Sequence, residues 1–140
     1  MAIEIDHLGI AVRSLEKGLR LYENALGMAV SGRETVASEQ VEVAMLPGGA
    51  GADSPRIELL EATGDASPIA RYIEKRGPGL HHIALRVDDL AKTIERLKAE
   101  GARVLHEPRC GAGGHLYVFV HPATTGGVLL ELIQKEPVRD

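Results

Sequence analysis

The sequence predicts an α+β protein built as one domain, residues 1–140, from two tandem βαβββ modules. Module 1 spans 3–62, a linking helix 67–77, and module 2 spans 79–135. Three observations carry this. The runs Asp6-His7-Leu8-Gly9-Ile10-Ala11-Val12 and His81-His82-Ile83-Ala84-Leu85-Arg86-Val87 align at an offset of 75 residues, setting His7 on His82, Ile10 on Leu85 and Val12 on Val87. Each run leads into a helical pattern that stops near a glycine, Gly27 in the first copy and Gly101 in the second. Each helix is then followed by short segments of strand character. A strand–helix unit written twice, with a histidine in the same place, reads as a duplicated module.

The elements follow in order. Ile3 to Val12 is a strand with bulky Leu8, Ile10 and Val12 on one face and His7, Gly9 and Ala11 on the other. Ser14 caps an amphipathic helix carrying Leu15, Leu19, Leu21, Tyr22 and Leu26. Met28 to Val36, Gln40 to Leu46 and Arg56 to Ala62 are strands, the last two separated by the Gly/Pro-rich loop from Pro47 to Pro55. Ser67 and Pro68 open the linking helix, and Gly77-Pro78 closes it. The second copy repeats the plan: a strand from Leu80 to Val87, a helix capped at Asp88 or Asp89, and short strands around Arg103-Val104-Leu105, His115 to His121 and Val128 to Ile133. Pro137 to Asp140 reads as a loose tail.

Composition narrows the class. At 140 residues, with 44% hydrophobic and 26% charged residues, the chain suits a globular domain. A net charge of −4 argues against a nucleic-acid partner. The single cysteine, Cys110, permits no intrachain disulfide. The N-terminus enters a strand with no signal-like core, and no apolar run is long enough for a bilayer, so the expected location is the cytoplasm, with no membrane partner.

Chemistry concentrates at equivalent places in the two copies. His7 to Glu58 is a spacing of 51 residues and His82 to Glu131 one of 49, so each copy offers a histidine on its first strand and a glutamate on its last. Glu131 lies between leucines, where an unpartnered carboxylate is costly to bury. Alone, His7 reads as a core or edge histidine and Glu58, beside Arg56, as part of a solvated face; the duplicate spacing favours the four as metal ligands. Strand parity selects His82 over His81. A set of two imidazoles and two carboxylates suits Co²⁺, Ni²⁺, Mn²⁺ or Zn²⁺ without selecting among them. Glu42, between Val41 and Val43, is assigned by parity to the cavity face, and on the residues alone is equally an exposed glutamate of a half-buried sheet. The Gly111 to Gly114 loop lacks the lysine and hydroxyl of a phosphate-binding loop.

These residues resemble the vicinal-oxygen-chelate superfamily, whose modules curl into a cup around one metal. Within it the chain is most similar to the methylmalonyl-CoA epimerase family. The likeness runs from Ile5-Asp6-His7 to Glu131-Leu132. It is most specific at Gly79-Leu80-His81-His82-Ile83-Ala84 with Val87-Asp88-Asp89, at Gly113-Gly114 leading to His121-Pro122, and at Gly127-Val128-Leu129-Leu130-Glu131-Leu132. It implies a metal held by His7, Glu58, His82 and Glu131, with Glu58 standing where some members carry glutamine. Co²⁺ is taken first.

By that resemblance Glu42 is one catalytic acid/base and Glu131 a second while also a ligand. The implied reaction interconverts (2R)- and (2S)-methylmalonyl-CoA by 1,1-proton transfer through a metal-stabilised enolate. A small-molecule acyl-CoA substrate and a homodimer come with the resemblance. The rival expectations are a glyoxalase I-type lactoylglutathione lyase, for which no glutathione-binding cluster stands out, and a metal-free ligand-sequestering protein, which retention of all four ligand types disfavours. A ring-cleaving dioxygenase of the same fold would normally use fewer protein ligands.

Overall fold

The computed structural model describes residues 3–111 and 114–136. In chain order these form β1 (Glu4–Ala11), α1 (Leu15–Leu19) continued by a π-helical turn (Arg20–Ala25), β2 (Gly32–Val36), β3 (Val41–Pro47), β4 (Arg56–Ala62) and α2 (Pro68–Arg76). The second half gives β5 (Gly79–Val87), α3 (Leu90–Ala99), β6 (Arg109–Cys110), β7 (Leu116–Val120) and β8 (Leu129–Gln134). The βαβββ, helix, βαβββ order is present. No helix among the described residues is long and apolar enough to cross a membrane.

Two compact units share the chain: His7–His81, and Met1–Asp6 with His82–Asp140. The boundary falls inside β1 rather than between the modules. Charge explains this: Glu4 pairs with Lys135 at 2.6 Å and with Arg86 at 3.4 Å, and Arg86 also meets Asp6 at 3.7 Å. Glu4 and Asp6 therefore belong with the second repeat.

In the unit His7–His81 the strand order is β2-β3-β4-β1, with β1 parallel to β4 and the other pairs antiparallel. One sheet face carries Ala44, Leu46 and Leu59, which pack against Leu15 and Leu19 of α1. Gly18 lets α1 lie close to this face, because a Cβ there would come within 3.1 Å of Leu59. The opposite face carries Ala11, Val41, Val43 and Leu60, covered in part by Ile69, Tyr72 and Ile73 of α2. The other unit runs β5-β8-β7-β6, with β5 parallel to β8. There Val87, Val118, Val120 and Leu132 form a core against Leu90, Ile94 and Leu97 of α3.

The repeat extends to the helix caps. Ser14 accepts the Lys17 amide at 3.2 Å and Asp89 the Lys92 amide at 3.1 Å. The first free amide of each helix goes to the last strand of its own repeat: Leu15 N–H donates to Glu61 at 2.6 Å, and Leu90 N–H to Gln134 at 3.1 Å.

Three expectations shift. The strand foreseen from Met28 begins only at Gly32, since the Met28 amide is spent on the Tyr22 carbonyl at the helix end. Around Arg103-Val104-Leu105 there is only an isolated bridge, Val104 to Val120. β6 was not foreseen, because two exposed residues, Arg109 and Cys110, leave no apolar periodicity to read. Gly113 and the tail from Pro137 lie outside the described residues.

Leu59, wholly buried under α1, should cost about 2–5 kcal/mol on replacement by alanine, measured by urea unfolding. The Glu4–Lys135 pair gives a pH signature. Lys135 holds the Glu4 carboxyl below its ordinary 4.5, so its stabilisation is present above that value and fades as pH falls through the lower folded value. Glu4 and Asp88 raise Lys135 above 10.5, so its share is present below 10.5 and fades as pH rises through the higher folded value. Glu4→Gln should flatten the acid limb of melting temperature against pH below 4.5; an unchanged limb would show the pair to be inert.

Candidate metal centre

Strand pairing decides what shares a face with what. In the unit His7–His81, β1 runs parallel to β4 with His7 opposite Arg56 and Gly9 opposite Glu58, so all four residues belong to one face. Glu58 faces a glycine, which leaves space for its carboxylate to lean toward the imidazole. Nδ1 of His7 lies 3.5 Å from Oε2 of Glu58, with both side chains largely buried. The same oxygen accepts a hydrogen bond from Nη2 of Arg56 at 3.0 Å.

The second unit repeats the placement. β5 runs parallel to β8 with His82 opposite Leu129 and Ala84 opposite Glu131. Nε2 of His82 stands 3.7 Å from Oε1 of Glu131. That separation is beyond a good hydrogen bond. It is close to the N···O edge of about 3.0–3.4 Å that two donors make around an ion bonded at about 2.1 Å. A borderline divalent cation fits this imidazole–carboxylate pair.

Around Glu131 the face is aromatic. Phe119 sits opposite Glu131 and Tyr117 opposite Ile133, so both side chains share the glutamate's face. The Phe119 ring meets His82 edge-on at 6.4 Å and Tyr117 at 5.9 Å. His106 packs on both aromatics, its Nδ1 at 2.7 Å from the Glu107 carbonyl and its Nε2 accepting the Phe119 amide at 3.2 Å. This wall was missed in the sequence; its signal was the alternation of Tyr117 and Phe119 in register with Ile133 and Glu131.

His81 packs on the linking helix. It stacks edge-on with Tyr72 at 4.9 Å, while the Tyr72 hydroxyl donates to the Leu80 carbonyl at 2.6 Å. Burial holds the His81 imidazole below its ordinary 6.5, which favours the neutral ring.

Strand register puts Glu42 on a different face from the one expected for it. In the β3–β4 ladder Met45 faces Glu58 and Val43 faces Leu60, whereas Glu42 faces Glu61 and Ala44 faces Leu59. Glu42 therefore lies on the α1 side, opposite to His7 and Glu58, and pairs with Arg33 at 2.6 Å. The alternation within β3 was read correctly but anchored to the wrong face. The residues that β3 presents beside Glu58 are Val41, Val43 and Met45.

Comparison with known proteins agrees with this architecture. The model of the Glyoxalase/Bleomycin resistance protein/Dioxygenase superfamily matches residues 6–119, and the chain belongs to that superfamily, with its α+β vicinal-oxygen-chelate fold. Within it the chain is similar to methylmalonyl-CoA epimerases. The mitochondrial methylmalonyl-CoA epimerase of Dictyostelium discoideum is 39% identical over 94% of this chain and 78% of its own length. The crystal structure of methylmalonyl-CoA epimerase from Mycobacterium tuberculosis superposes with a TM-score of 0.80 at 34% identity, covering 95% of this chain and 88% of that one. An uncharacterized protein of Bacillus subtilis (strain 168), YqjC, is 38% identical over 93% of this chain and 91% of its own.

Proposed function

We propose that the protein is a metal-dependent epimerase of methylmalonyl-CoA, working on an acyl-CoA substrate in the cytoplasm as a homodimer. The observation that carries this reading is the repeated histidine–carboxylate pair, His7 with Glu58 and His82 with Glu131, in a chain similar to methylmalonyl-CoA epimerases over most of its length. We take His7, Glu58, His82 and Glu131 as the donors to one divalent cation, with Co²⁺ first and Mn²⁺, Ni²⁺ or Zn²⁺ as alternatives.

When bound, the cation supplies Lewis-acid polarisation of the thioester carbonyl, which acidifies the neighbouring carbon. The chain's residues do the rest. Glu131, in a leucine-rich strand, is the carboxylate that takes the proton. Phe119 and Tyr117 shield that carboxylate from bulk water. His106 takes no part, because each ring nitrogen already faces a backbone group. Glu42 takes no part either, being on the opposite sheet face. With Val41, Val43 and Met45 on the β3 side, the proton returns from solvent.

The test is α-proton exchange in D₂O with (2S)-methylmalonyl-CoA and Co²⁺-loaded protein. Fast, chelator-sensitive exchange with loss of chirality is expected. Glu131→Gln should slow it by about 10²–10⁴-fold, and Glu42→Gln should leave it within about threefold. A large loss in Glu42→Gln would reinstate that residue as a base. Absence of exchange with metal bound, together with turnover of the methylglyoxal–glutathione hemithioacetal, would replace the epimerase by the lyase.

A further inference from the structure

The segment that pairs with β7 is interrupted where the aromatic wall stands. Val104 bridges Val120, with the Leu105 amide donating to the Phe119 carbonyl at 2.9 Å and the His121 amide to the Arg103 carbonyl at 2.8 Å. Pairing resumes at Arg109 opposite Tyr117 and Cys110 opposite Leu116. Between these points His106, Glu107 and Pro108 stand against Val118 alone, which makes a bulge in the edge segment. Regular antiparallel pairing would have Leu105 and Phe119 exchange both of their amide–carbonyl bonds. Here Nε2 of His106 accepts the Phe119 amide, at 3.2 Å. Continued alternation from Val104 would also turn His106 to the face of Val118, yet its ring packs on Tyr117 at 5.8 Å and Phe119 at 6.0 Å. The bulge has re-aimed the side chain.

The amide bond fixes the tautomer. Because Nε2 accepts, the proton of the neutral ring is on Nδ1, which donates to the Glu107 carbonyl at 2.7 Å. Phe119, held in this way, lies opposite Glu131 and meets the His82 ring edge-on at 6.4 Å.

We propose that His106 is a positioning residue for the site: its imidazole stands in for a main-chain acceptor at the bulge and holds Phe119 against His82 and beside Glu131. The proposal deepens the epimerase reading and rests on it for the effect on turnover. His106 moves no proton; its two nitrogens are committed to the backbone, and that commitment is its task. A part-buried amide left without an acceptor is costly, so removal of the imidazole lets the Phe119 backbone shift toward another partner and carries the ring with it. Leucine keeps apolar bulk at the position and loses the bond. Glutamine brings a carbonyl oxygen to about the place of Nε2 and keeps it.

The test combines NMR with turnover in wild type, His106→Leu and His106→Gln. Metal-free wild type should show a scalar coupling across the hydrogen bond between the Phe119 amide nitrogen and Nε2 of His106, and the Nδ1–H form of His106 in long-range ¹H–¹⁵N spectra. In His106→Leu the Phe119 amide should exchange with D₂O about tenfold faster or more, and the His82 ring-proton signals should move as the ring current of Phe119 shifts. Both should return close to wild type in His106→Gln. With Co²⁺ and methylmalonyl-CoA, α-proton exchange should slow by about 10–100-fold in His106→Leu and stay within about threefold of wild type in His106→Gln. An Nε2–H tautomer or an absent coupling in the wild type would overturn the proposal, even where His106→Leu does not fold. Unmoved His82 signals, or undiminished turnover, in folded His106→Leu would overturn the positioning role. Absence of turnover in the wild type would overturn the epimerase reading, and the coupling and the His82 signals would then decide the role of His106 by themselves.

Discussion

Imidazole and carboxylate groups buried on strand faces must find partners, and the architecture depends on how they do so. Among the described residues, His7 and His82 are two of the few polar ones that are almost wholly buried, at 7% and 8% exposure. Each stands against a glutamate on the parallel neighbouring strand, and neither glutamate could be lodged there alone without a large desolvation cost. A small residue sits opposite each glutamate, Gly9 opposite Glu58 and Ala84 opposite Glu131, so the polar pairs are accommodated without opening the sheet. The parallel pairing of first and last strands in each repeat is therefore the element on which the site depends. It is the register of that pairing, more than any local propensity, that brings a histidine within reach of a glutamate some fifty residues later in the chain.

The two faces of each sheet divide the labour. One is given to helix packing: Leu15 and Leu19 against Ala44, Leu46 and Leu59, and Leu90 with Leu97 against Val118, Val120 and Leu132. The other carries the histidines with Glu58 and Glu131, beside the apolar patch that α2 covers in the unit His7–His81. Even the helix starts are held by the strands that bear the glutamates, since Glu61 and Gln134 lie three residues beyond Glu58 and Glu131 and take the first free amides of α1 and α3. Movement of β4 or β8 would disturb a helix cap and a polar pair together. This coupling gives the functional face a rigid support.

Duplication explains the shared plan, and departures from it show where the copies have been assigned different tasks. Arg56 against Leu129 is the clearest departure. The aromatic wall of Tyr117, Phe119 and His106 is another, for β3 in the first copy presents Val41, Val43 and Met45 beside its glutamate.

Much was legible in the sequence because the signals are local. The strand–helix repeat, the caps at Ser14, Ser67 and Asp89, and the glycine stops rest on periodicity and capping chemistry that act within a few residues. The preference for His82 over His81 followed from strand parity alone. Parity gives the alternation of a strand without saying which side its neighbour counts as the same face, and Glu42 fell on that ambiguity: only the pairing of Met45 with Glu58 shows that Glu42 looks toward α1. Arg56 likewise read as a solvated neighbour until its guanidinium was seen on Glu58 and its place in the register opposite His7. The chain by itself determined which elements form and which residue types are available for chemistry, because those depend on neighbours in sequence. Inter-strand register, a property of residues far apart in the chain, decided which of those residues face one another, and so which can act together.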